Sequence, residues 1–109
     1  MSGDTMSMDA RIDGSTLKLS GDLDVRTTGL LRSAVYALLE GDDATVVVDL
    51  TDVDSIDLIA LRVLAVATRQ AGLSGRHVVL RGCCPAVRRF LHVSRLFRAL
   101  EVERDRVPA

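Results

Sequence analysis

Tryptophan is absent from this chain, and Tyr36, Phe90 and Phe97 are its only aromatic residues. A core must therefore be built from Leu, Val, Ile and Ala, and base stacking on an aromatic platform is poorly supported. Lysine occurs once, at Lys18. Cysteine occurs only as the neighbours Cys83 and Cys84, and a disulfide between neighbours strains the backbone and closes no useful loop. His77 and His92 are isolated, so no zinc-ligand spacing exists. Small, half-buried thiols in a reducing compartment are the expectation, with redox sensing as the alternative. No apolar run reaches the roughly 18 residues that span a bilayer, because Arg62 and Arg69 interrupt the best candidate. The start, MSGDTMSMDA, has neither the basic nor the apolar region of a secretory signal. The expected location is cytoplasmic, without membrane insertion.

What is present suits one domain. The 109 residues can bury one modest core, and an apolar content of 48% with 27% charged side chains is ordinary for a globular protein. Net charge is −1, yet residues 1–57 carry 4 basic and 12 acidic side chains while residues 58–109 carry 10 basic and 3 acidic ones. Such asymmetry either spreads over solvated faces or orients a charged protein partner. Nucleic acid is a poor candidate, because folding brings the acidic half close to any basic patch.

Residues 1–8 read as a flexible start, 9–103 as the single domain and 104–109 as a loose tail. Two short strands surround a turn at Asp13-Gly14-Ser15, the second with Leu17 and Leu19 alternating with Lys18 and Ser20. Gly21-Asp22-Leu23-Asp24 breaks that alternation. Leu30, Leu31, Ala34, Val35, Leu38 and Leu39 then recur at helical spacing, with Thr27 or Thr28 as the cap and Gly41 as the terminator. Thr45 to Leu50 is a β-branched run expected to be a strand buried on both faces. Leu58 to Ala71 predicts a second helix that ends near Gly72-Leu73-Ser74-Gly75. His77-Val78-Val79-Leu80 predicts a further buried strand, Pro85 opens a third helix carrying Val87, Phe90 and Leu91 on one face, and a short segment follows at Leu96-Phe97-Arg98-Ala99-Leu100. Glu101-Val102-Glu103 is a candidate edge strand. Alternating strands and helices imply a mainly parallel sheet with right-handed crossovers.

Catalytic and metal chemistries find little support. The acidic turn Asp52-Val53-Asp54-Ser55-Ile56-Asp57 offers oxygen ligands suited to Mg²⁺ or Ca²⁺, but lacks the central glycine and terminal glutamate of an EF-hand. A phospho-accepting receiver domain would place its aspartate at Asp49, with Asp22 and Asp24 as acidic partners. It also requires a lysine after a later strand, whereas Lys18 lies in an early one. Ser94 and His92 have no identifiable acidic partner, and Gly72-Leu73-Ser74-Gly75 reads as a helix end and not a phosphate loop. The chain is therefore expected to be non-enzymatic, with no cofactor and no metal.

One stretch is more specific. After Val46-Val47-Val48 comes Asp49-Leu50-Thr51, and then Asp57-Leu58-Ile59-Ala60-Leu61 at the start of a helical pattern. This arrangement resembles STAS domains, above all the anti-sigma factor antagonists, where a strand ends Asp-Leu-Ser/Thr and Asp-Ser-Ser/Thr-Gly-Leu follows. Ser20-Gly21-Asp22-Leu23-Asp24 is similar to the family's turn before its first long helix, and Pro85-Ala86-Val87-Arg88-Arg89-Phe90-Leu91 to the segment after its third core strand. The resemblance implies an α/β fold with a four- to five-stranded mixed, mainly parallel sheet and three to four helices, as a monomer or weak homodimer. It implies a partner that is an anti-sigma factor or histidine-kinase-like ATPase protein, met by Asp22, Asp24, Ser55, Asp57, Leu58, Ile59 and Leu61. The position that the family phosphorylates holds Leu58, so the usual switch is missing, and Ser55 is the nearby substitute hydroxyl. Ala60 stands where the family has Gly. Leu58 and Ile59 are either a contact point or core. Two other functions compatible with the resemblance are an accessory subunit of a transporter-associated or other multiprotein complex, and a nucleotide- or small-molecule-binding domain.

Overall fold

The computed structural model describes residues 8–94 and 101–102. The chain runs β1 (Met8–Asp13), β2 (Thr16–Leu23), a 3₁₀ turn (Val25–Thr27), α1 (Thr28–Leu39), β3 (Thr45–Ile56), α2 (Leu58–Leu73), β4 (His77–Arg81), α3 (Pro85–Ser94) and β5 (Glu101–Val102). The strands form one sheet in chain order. The β1–β2 hairpin is antiparallel, and every later pairing is parallel. This is the α/β architecture expected, with a mixed, mainly parallel sheet of five strands.

Parallel neighbours in chain order need crossovers, and right-handed crossovers put α1 and α2 on the same face of the sheet. The core lies between them: Leu17, Leu23, Val48, Leu50, Val78 and Leu80 from the strands meet Leu31, Val35, Leu61 and Leu64 from the helices, and Val87 of α3 joins them. With few aromatic side chains available, this branched aliphatic interior provides the hydrophobic stabilisation of the fold.

The sheet is not buried on both faces, which corrects the reading of Thr45 to Leu50. Val46, Val48 and Leu50 are buried, while Val47 and Asp49 between them are only partly covered. Val79 of β4 behaves like Val47. The alternation arises because α1 and α2 share one side, leaving the other to the charged residues Asp9, Arg11 and Asp13 of β1 and Lys18 of β2. Two boundaries also move. Met8, read as part of a flexible start, is buried and pairs with Gly21. Strand β2 continues through Gly21 and Asp22 to Leu23, because Gly21 at φ 86° permits an irregularity without ending the pairing.

Helix α1 ends without a left-handed glycine, Gly41 not being among the positive-φ glycines. Instead the Arg76 guanidinium donates from Nη1 to the Leu39 carbonyl at 2.7 Å and from Nε to the Asp43 carbonyl at 2.9 Å. The first bond satisfies an acceptor that a helix end otherwise leaves open, and the second holds the loop that follows. Helix α2 does end at a glycine, Gly75 at φ 74°. The expected segment 96–100 and the readings of residues 1–7 and 103–109 lie outside the described residues, as does the side chain of Leu91.

Candidate functional site at the β2–β3 end and the start of α2

The acidic stretch expected to be a turn is a strand. Asp52 to Ile56 prolong β3 alongside β2, with Ser20 opposite Asp52, Asp22 opposite Ser55 and Leu23 opposite Ile56. The pairing includes register shifts, and its buried positions step by three residues, Leu50, Val53 and Ile56. A strand that slips in this way presents polar side chains in sequence positions where strict alternation would place apolar ones. Asp52 and Asp54 consequently line different grooves, the first with Lys18 and Ser20, the second with Val87 and Phe90. Among the described residues no three carboxylate, imidazole or thiol groups gather as metal ligands.

The parallel pairing brings the predicted residues of two loops together. The Ser55 hydroxyl donates to Asp22 Oδ1 at 2.7 Å. One residue beyond β3, the Asp57 N–H donates at 2.9 Å to the carbonyl of Leu23, the last residue of β2, which ties the start of α2 to the end of β2. The Asp57 carboxylate accepts from the Ala60 N–H at 2.9 Å and is the N-cap of α2. Asp57 therefore holds the helix start in place as well as contributing charge beside it.

Asp24 organises the other loop. Its carboxylate accepts from the Arg26 N–H at 2.9 Å and from Arg26 Nη2 at 2.7 Å, while its own N–H donates to Thr27 Oγ1 at 3.0 Å. This reciprocal cap fixes the 3₁₀ turn that leads into α1. The Arg26 side chain, first by hydrogen bonding, holds the Asp24 carboxyl below its ordinary value of 3.8. Thr27, named as a candidate cap for α1, makes no side-chain cap bond to that helix. It is buried, and its hydroxyl lies 3.2 Å from the Asp22 carbonyl and 3.1 Å from that of Asp24, either of which it can reach as donor.

Leu58 is the first residue of α2 and is 40% exposed, and Ile59 is 47% exposed. Both point away from the core. Leu61 is the correction among the predicted contact residues: it is fully buried. Two positions past Ile59, it has turned about half the helix circumference and faces the sheet with Leu64 and Ala65. Ala60 is fully buried too, so its methyl group is accommodated within the core. The candidate site thus comprises Asp22, Asp24 and Ser55 near the strand ends, Asp57 as the cap of α2, and Leu58 and Ile59 on the helix.

Sequence reasoning missed two features. Val25 is 64% exposed between Asp24 and Arg26, and its signal was an apolar residue alone in a polar turn. A shallow groove of about 180 Å³ runs from Ile59 along the junction of α1 and α2, lined by Arg32, Tyr36, Arg62, Val63 and Val66. It is smaller than the roughly 300–1,000 Å³ of ordinary small-molecule sites. Its signal in the sequence is Val66, an apolar residue off the helical stripe of Leu61, Leu64 and Ala65.

Comparison with known proteins agrees with this fold. Residues 6–101 match the family model described as Mlab, STAS domain. The structure is similar to a crystal structure of an anti-sigma factor antagonist from Mycobacterium paratuberculosis, at 21% identity and TM-score 0.75, covering 94% of this chain and 89% of that one. It is similar to a putative anti-sigma factor antagonist from Thermotoga maritima, at 22% identity and TM-score 0.70, covering 87% and 84%. It is also similar to the Bacillus cell fate determinant SpoIIAA in its phosphorylated form, at 14% identity and TM-score 0.61, covering 90% and 92%. At these identities the likeness shows a shared fold.

Proposed function

Since the chain belongs to the STAS domain family, we propose that it is a non-enzymatic regulatory module of the anti-sigma factor antagonist kind, which binds a protein partner through the β2–β3 ends and the start of α2. The observation that carries this reading is the exposed Leu58–Ile59 pair at the start of α2, which the Asp57–Leu23 bond ties to the strand ends where Ser55 meets Asp22. An apolar centre with a polar rim is the composition of a protein-binding patch. The partner is an anti-sigma factor with a histidine-kinase-like ATPase domain, in the cytoplasm of a bacterium, where the module acts on transcription.

The proposed contact differs from the phosphorylated form of its kind. A phosphate beside an existing carboxylate repels a partner by adding nearly two negative charges. Leu58 has no hydroxyl to carry one, so binding there is constitutive or answers another signal. Ser55 is exposed but donates its hydroxyl to Asp22, which would have to release it before phosphoryl transfer. A constitutive contact also suits an accessory subunit held permanently in a larger assembly, and Leu58 is the residue that favours this second reading.

Titration of the chain with a histidine-kinase-like ATPase domain, with and without ATP, tests the proposal. The expected result is saturable binding, unchanged by ATP and weakened at least about tenfold by Leu58→Asp. Peptide mapping after ATP treatment should find no phosphate on residues 57–61. Stoichiometric phosphate on Ser55 would show a relocated switch, and binding indifferent to Leu58→Asp would remove this surface from the interface. Leu58→Ser should leave stability within about 1 kcal/mol, because an exposed side chain contributes little apolar area to the core. A denaturant melt measures that loss, and one above about 2 kcal/mol would return Leu58 to the core.

A further inference from the structure

The α1–α2 surface differs chemically from the strand ends it adjoins. Helices α1 and α2 together hold Arg32, Arg62 and Arg69 and no carboxylate at all. All three arginines are exposed. So are Leu30, Ile59 and Val66, the last at 51%. Between the helices lies the groove described above, whose α2 wall is Ile59, Arg62, Val63 and Val66, a helical i, i+3, i+4, i+7 row. Its α1 wall is Arg32 and Tyr36, one turn apart. The Tyr36 hydroxyl donates to Gln70 Oε1 at 2.7 Å and links the two helices beyond Val66. Ile59 belongs both to this groove and to the proposed partner contact, so the two surfaces are continuous.

We infer that the α1–α2 groove receives an acidic amphipathic helix of the partner protein, one apolar side chain entering between Ile59 and Val66 while flanking carboxylates pair with Arg32 and Arg62. The inference rests on the reading of this chain as a protein-binding module and names the chemistry of the segment it takes. Three features select that occupant. The groove volume is on the scale of one large aliphatic side chain. Arginine on both walls offers bidentate geometry to carboxylates, which a diffuse cationic surface does not. Three arginines and no lysine also fall short of the cluster of 4–8 basic residues typical of an anionic membrane contact. The acidic strand ends beside Ile59 would meet the same carboxylates unfavourably, which fixes the direction in which the segment must leave the groove.

The test uses the full chain and synthetic probes. One is an amphipathic helical peptide with a leucine stripe flanked by glutamate, and the other is its lysine twin. Amide shifts are followed in the isotope-labelled protein, with vesicles containing phosphatidylglycerol as a third arm. The glutamate peptide should shift the amides of Ile59, Val63 and Val66 and bind at least about tenfold more tightly than the lysine twin. The double variant Arg32→Glu with Arg62→Glu, both on exposed positions, should reverse that preference while keeping the unperturbed melting curve. No shift with the glutamate peptide, equal affinity for both peptides, shifts confined to the open sheet face, or the same amides responding to vesicles alone would each overturn the inference. Because no ATPase domain takes part, these outcomes are separate from those of the titration that tests the proposed function.

Discussion

The two halves of β3 obey different rules. From Thr45 to Leu50 the strand lies between β2 and β4, and buried Val46, Val48 and Leu50 alternate regularly with partly covered residues. The pairing with β4 stops at Asp49–Arg81. Beyond it β3 has only β2 for a neighbour, its register slips, and one residue in three is buried. The first half is specified by burial and the second by its pairing with β2 and by Leu23, to which Asp57 is bonded. Freed from the demand for apolar alternation, the second half can carry Asp52, Asp54 and Ser55, and it is the half that reaches the proposed site.

The contrast can be broken most strongly in the core. Leu50→Ala, or Leu61→Ala at the facing position on α2, should cost about 2–5 kcal/mol through lost burial and an unfilled cavity. Ser55→Ala in the second half should stay within about 1 kcal/mol. Denaturant melts of these variants measure the difference, and comparable losses would erase the distinction between the halves.

A smaller effect is expected where the halves join. Asp49 Oδ1 accepts from the N–H of Thr51 at 2.9 Å and from its hydroxyl at 2.6 Å. Gly82 lies directly against Thr51, where an added Cβ would sit 3.0 Å from the Thr51 nitrogen. Gly82 also has φ 75°. Gly82→Ala should therefore cost about 1–3 kcal/mol from backbone strain and displace the Thr51 side chain, as read by a melt and by the Thr51 amide shift.

Asp57→Ala removes the cap that starts α2 and should cost about 1 kcal/mol, while raising hydrogen exchange at Ala60 and Leu61. The smallest effect concerns pH. Arg26 lowers the Asp24 carboxyl below its unfolded value, so Asp24 contributes stability above that unfolded value and loses it as pH falls through the lower folded one. Between wild type and Asp24→Asn, the stability difference should stay constant from neutral pH down to about 4 and close only in more acidic solution. A difference that changed around pH 6 would point to another group.

The same contrast explains what the sequence disclosed. Val46-Val47-Val48 and His77-Val78-Val79-Leu80 declared strands through β-branched composition, and the aliphatic spacing of Leu31, Val35 and Leu38 declared α1. A run of valines does not say whether one face or two is covered, so by composition alone Val47 reads as interior. Asp52, Asp54 and Ser55 have low strand propensity, and the three-residue step of Leu50, Val53 and Ile56 has neither strand nor helix period. That segment therefore reads as a turn, and of its residues only Ser55 is named as part of the site. The resemblance correctly placed Leu58 at a helix start. A motif gives the order of residues without the angle each occupies around the helix, so Leu61 reads as a contact residue although it is buried. Arg76 as the clamp of α1 had no local signal, since its acceptors on Leu39 and Asp43 lie more than thirty positions earlier.

The bond from the Asp57 N–H to the Leu23 carbonyl has a thermodynamic consequence for association. Flexible loops lose freedom when they dock, and each side chain newly immobilised costs about 0.5–1.5 kcal/mol. Here the loop after β2 and the start of α2 are already joined to each other, with Asp24, Thr27 and Ser55 committed to hydrogen bonds before any partner arrives. Much of that ordering cost is met during folding, so the proposed encounter through Leu58 and Ile59 would retain more of its apolar burial as affinity.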